Sequence, residues 1–174
     1  MPIFTADDGA RIHYEEQGSG RPVVLIHGWD ANRRFFHKQV PALTERYRVV
    51  TFDLRGHGES ERGEKTEQGL TIQRCAQDVA GLIDTLKLKD VTLVGWSMGV
   101  NTAFEIAVDH PERVAGLFAV AGVPGDTFST MLRPLRVPPA AARTVAVGAA
   151  HLLRYGGRLL SPVTTSLPVG RRAI

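Results

Sequence analysis

The sequence predicts an α/β fold in which a mostly parallel sheet carries helices on both faces. Two observations predict it. Residues 23–26, 49–52, 91–94 and 114–120 form short apolar runs, and the first three lack the polar alternation of a half-exposed strand. Residues 32–46, 71–86 and 98–109 read as helices, so strand and helix take turns along the chain.

Each element has its own justification. Ile12 and Tyr14 alternate with polar neighbours, as on a strand with one wet face, and Gly18 and Gly20 then reverse the chain. Val23, Val24, Leu25 and Ile26 follow as a strand buried on both faces. Residues 32–46 read as one short helix, and Val49, Val50, Thr51 and Phe52 as the next strand. Ile72, Cys75, Val79, Leu82, Ile83 and Leu86 have helical spacing, with Thr71 placed to cap that helix. Pro111 stops the helix at residues 98–109. Beyond Gly122 the character changes. Pro124, Pro134, Pro138 and Pro139 interrupt the chain, and residues 141–160 read as an Ala-rich, Arg-bearing helix. The expected organisation is therefore a core at residues 1–122 and a Pro/Ala/Arg-rich segment at 123–174.

Composition bounds the function. A chain of 174 residues, 43% hydrophobic and 22% charged, can bury a core and is not a disordered chain. The net charge of +3 comes from the tail, where seven arginines follow residue 113 against the single acid Asp126. That reads as a solvated or lid-like helical face rather than a nucleic-acid stripe. Cys75 is the only cysteine, so no intrachain disulfide forms, and its apolar position fits a buried thiol. The N-terminus has no basic region followed by an apolar stretch, and no run reaches membrane-span length. The expectation is a cytoplasmic protein without stable membrane insertion. No ligand set spaced for a metal and no nucleotide-binding glycine pattern occurs, so no cofactor is expected.

The strongest chemical signal is Gly95-Trp96-Ser97-Met98-Gly99, between an apolar strand and a helix. In G-x-S-x-G a sharp strand-to-helix turn exposes a serine hydroxyl at the carboxyl edge of a sheet. The flanking glycines remove side chains that would strike neighbouring backbone, and the helix N-terminus favours developing negative charge. Ser97 is thus the candidate nucleophile. Acyl transfer also needs two N–H donors for an oxyanion. Met98 follows the nucleophile and supplies one. His27-Gly28-Trp29 ends an adjacent strand, Gly28 permits close approach, and Trp29 is the natural second donor. His27 itself reads as structural. Asp53, Arg55 and His57, in Asp53-Leu54-Arg55-Gly56-His57-Gly58-Glu59-Ser60, resemble a catalytic cluster on paper but read as loop bracing.

HGW, DLRGHGES and GWSMG, in this order and each after a strand, resemble the α/β-hydrolase superfamily. HPERV at residues 110–114 fits the same family's connection into the next strand, and the likeness covers residues 10–124. The branch it resembles holds esterases, lactonases and cofactor-free haloperoxidases. The resemblance implies Ser97 as nucleophile, with Met98 and Trp29 as the oxyanion hole. Aspartate-nucleophile relatives are disfavoured by the serine at 97. The family delivers its acid and histidine after the serine. Here Glu105, Asp109 and His110 lie along or beyond the helix, away from Ser97, and fit poorly. Asp126 and His151 complete the order but are weak candidates, so the expectation is a C-terminally truncated chain whose last strands are missing. Such a chain carries the start of a helical lid and an exposed sheet edge open to self-association. The implied function is hydrolysis of a small, apolar ester or lactone; the alternative is an inert chain that serves as a binding or interaction module.

Overall fold

The computed structural model describes residues 1–63 and 70–122. The chain divides into two compact units, and the first, Met1–Gly125, holds every described residue. The lid expected from the tail, with Asp126 and His151, lies outside the described residues.

Six strands form one sheet in the order β1-β2-β4-β3-β5-β6. They are β1 (Ile3–Thr5), β2 (Arg11–Gln17), β3 (Arg21–Ile26), β4 (Tyr47–Phe52), β5 (Val91–Trp96) and β6 (Val114–Val120). β4, β3, β5 and β6 run parallel, with Val24 opposite both Val50 and Leu93. β2 joins β4 antiparallel, and β1 joins β2 antiparallel. The helices are α1 (Gln39–Thr44), α2 (Ile72–Thr85) and α3 (Met98–Asp109).

The apolar runs now have a physical reason. Successive strand residues point to opposite faces. In β3, Val24 and Ile26 pack in one cluster with Val79, Leu82, Ile83 of α2 and Ala103, Ile106 of α3. Val23 and Leu25 pack on the other face with Phe36, and with Val40 and Leu43 of α1. Both faces are covered, so no position of the run can be polar without cost.

Two local features depart from the sequence reading. The helix expected at 32–46 is a 3-10 turn, Arg33–Phe36, followed by the separate α1. Pro41 has no N–H to bond back toward His37, so it fits the first turn of a new helix but not the middle of a continuous one. The three-residue β1 was too short to show a period. By contrast, Thr71 caps α2 as expected, accepting from the Arg74 N–H at 3.1 Å. Cys75 is buried on α2, and that burial pushes its thiol pKa up to about 12. No described helix is long and apolar enough to cross a membrane.

Candidate active site

Parallel strands bring their carboxyl ends to one sheet edge, and there the three motifs meet. Ser97 stands between β5 and α3 with φ 54° and ψ −118°, a conformation that costs an L-residue energy. Two hydrogen bonds hold it. The Ser97 N–H donates to the Val120 carbonyl at 2.9 Å, and the Ser97 carbonyl accepts from Val100 at 3.0 Å. The helix then seats directly on the strands through its glycines. A Cβ on Gly95 would meet the Gly99 carbonyl at 2.5 Å, and one on Gly99 would meet backbone carbonyls of Ile26 and His27. Gly99→Ala is therefore expected to lose about 1–3 kcal/mol, read from chemical denaturation, because only rigid backbone surrounds the added methyl. A loss within 0.5 kcal/mol would show that α3 shifts freely.

Gly28 brings the second loop against the serine. A Cβ there would lie 2.9 Å from both the Ser97 Cβ and the Trp96 ring. Any larger residue would push the HGW loop off the elbow. Neither the Trp29 nor the Met98 N–H donates in the loop, turn and cap hydrogen bonds of the described residues. For Met98 this follows from its place at the start of α3, where helix N–H groups lack internal partners. The Trp29 side chain is 65% exposed.

His27 is fully buried and both ring nitrogens are committed. Nε2 accepts from the Leu54 N–H at 2.9 Å, so the proton sits on Nδ1, which donates to the Gly28 carbonyl at 2.8 Å. That carbonyl shares its peptide plane with the Trp29 N–H. His27 thus fixes the orientation of the Gly28–Trp29 peptide. Burial drives its pKa down to about 4, the nearby His57 adds to the effect, and the Gly28 bond and Asp53 oppose it.

The DLRGHGES loop is braced by hydrogen bonds, as its sequence suggests. Asp53 is fully buried and accepts from the Arg33 N–H at 2.7 Å, the Arg33 Nη1 at 2.5 Å and the Glu59 N–H at 2.9 Å. Gly58 is left-handed, at φ +53°, and a Cβ there would strike the Asp53 carboxylate. Arg55 turns away from the site, toward Asp78 and Asp8. His57 remains at the edge, with Nδ1–H donating to the Arg55 carbonyl at 3.0 Å. Its ring meets His27 edge-on at 5.3 Å and Trp29 edge-on at 5.6 Å.

The rejected acids and His110 lie as expected. Asp109 ends α3 twelve residues from Ser97, which at 1.5 Å per residue is about 18 Å, and His110 caps that far end. Among the described residues no hydrogen bond joins Ser97 to a histidine, and no group of three His, Cys, Asp or Glu is placed to hold a metal. The ion-pair partners Asp8, Arg33 and Asp78 escaped the sequence reading, since nothing in their local pattern announces partners tens of residues away.

The family model of the alpha/beta hydrolase fold matches residues 21–165. The chain belongs to the α/β-hydrolase family. A soluble epoxide hydrolase of Corynebacterium sp. (strain C12) is 37% identical over 118 residues, covering 68% of this chain and 40% of that protein. A non-heme haloperoxidase of Rhodococcus erythropolis is 35% identical over 140 residues, covering 79% of this chain and 50% of that one. Among solved structures, an esterase from Exiguobacterium antarcticum superposes with a TM-score of 0.66 at 36% identity, over 72% of this chain and 46% of the esterase. The α/β-hydrolase chain thus spans about half the length of relatives that are themselves hydrolases and haloperoxidases.

Proposed function

We propose that this chain carries the nucleophile and oxyanion half of a serine hydrolase of the carboxylesterase or lactonase type, acting on a small apolar ester through an acyl-serine intermediate. The observation that carries the reading is the strained Ser97 held against Gly28, beside Met98 and Trp29 N–H groups that donate in no loop, turn or cap hydrogen bond of the described residues. In this reading the Ser97 hydroxyl attacks the ester carbonyl, and the two N–H groups receive the negative oxygen. Exposed Trp29 offers apolar surface at the same edge.

The proton acceptor lies elsewhere. His27 has both nitrogens bound and His110 stands at the far end of α3, so neither takes the Ser97 proton. His151, with Asp126 as the acid, has the chain order of the family. Turnover of a short-chain p-nitrophenyl ester, lost in Ser97→Ala, is the expected result. Equal rates for both proteins would refute an acyl-serine route.

One observation favours the second reading, an inert interaction module. β6 is the outer strand, and its Phe118 and Val120 are 62% and 47% exposed, with no charged residue from 114 to 122. An uncharged edge invites pairing. Self-association that grows with concentration in size-exclusion chromatography, and falls in Phe118→Lys, is expected; an invariant monomer would contradict it.

A further inference from the structure

We propose that His57 is a positioning residue for the oxyanion site, holding the Trp29 indole and with it the loop that lies against Ser97. The inference rests on the serine-hydrolase reading and deepens it. Trp29 is largely exposed, so little of the core holds its ring. Among the described aromatic contacts its partner is His57, edge-on at 5.6 Å with planes at 85°. His57 can serve as a brace because it is itself fixed from two sides. Its Nδ1–H is tied to the Arg55 carbonyl, and its ring abuts that of the locked His27. Arg55 is anchored by buried ion pairs, so the bracing reaches α2.

The arrangement grips the Gly28–Trp29 peptide at both ends. His27 holds the Gly28 carbonyl, and His57 holds the Trp29 side chain. Loss of the second grip lets the donor N–H sample orientations away from the developing oxyanion, and misplacement of that scale lowers rate rather than fold. Nothing in this role needs proton transfer by His57. The ring makes the contact and the Nδ1–H tie fixes the ring, so a flat ring of similar size without that N–H serves only in part.

The test uses the full chain and two readouts. The first is the second-order rate of Ser97 labelling by a fluorophosphonate. His57→Ala is expected to slow it about threefold to tenfold, the range of an aromatic pair expressed as a rate, and His57→Phe, which keeps the ring but not the Nδ1–H tie, to slow it less. The second is acrylamide quenching of Trp29 fluorescence in a Trp96→Phe background, where Trp29 is the only tryptophan. His57→Ala should raise the quenching constant, and His57→Phe should raise it less. Unchanged quenching in His57→Ala overturns the proposal, as does raised quenching with an unchanged labelling rate. If the wild-type chain is not labelled at all, the serine-hydrolase reading fails and the positioning role falls with it. The quenching comparison then reports separately whether His57 holds the indole.

Discussion

Arg55→Met should lose about 3–5 kcal/mol of folding stability. Arg55 is fully buried and bidentate to Asp78, with Nε–Oδ2 and Nη2–Oδ1 both at 2.6 Å, and its Nη1 reaches Asp8 Oδ2 at 3.0 Å. Asp78 is buried on α2, and Asp8 precedes β2. The cluster therefore ties three parts of the chain, and removing the cation strands a buried carboxylate. Lysine will not replace it, since a point charge cannot match the fork geometry. Burial raises the Asp78 pKa and Arg55 opposes that rise. Without Arg55 the carboxyl rises further, so the variant should regain stability as pH falls through that higher value. Urea unfolding at two pH values checks both points. A loss below 1 kcal/mol would show that the pair contributes specificity but not stability.

Lowering the pH from 7 to 4 should remove roughly 3 kcal/mol through His27 alone. Its folded pKa is about 4 against an ordinary 6.5. Between those values the unfolded chain holds the proton and the folded chain does not, so stability is fully present above 6.5 and declines down to about 4. Below that both states are protonated and this contribution is constant. His27→Gln, which keeps a donor and an acceptor, should flatten the decline across that window. The same slope in variant and wild type would assign the acid sensitivity to other groups. The carboxylate of Asp8, held low mainly by its hydrogen bond to Arg55, loses its contribution only at still lower pH.

What the sequence displayed was local periodicity and motif. The double-faced apolar runs gave β3, β4 and β5 because the apolar residues of those runs pack on one of two clusters. Helical spacing and a Thr cap gave α2 almost to the residue. GWSMG placed Ser97 at a turn whose strain the backbone angles now show. The rest depended on tertiary partners. Pro41 divided a segment whose hydrophobicity looked continuous. The Asp8–Arg55–Asp78 cluster joins residues 47 and 23 positions apart, beyond the reach of any local pattern. His27 reads as structural from its place at a strand end, but the reason lies in a Leu54 N–H from the loop after β4.

The central claim is that Ser97 is a nucleophile presented to an oxyanion site. Intact-mass analysis of the purified chain after a fluorophosphonate, with Ser97→Ala in parallel, tests it most directly. One adduct per chain is expected, mapped to the peptide containing Ser97 and absent from the variant. A folded wild-type chain that takes no adduct, or one whose adduct persists in Ser97→Ala, would contradict it.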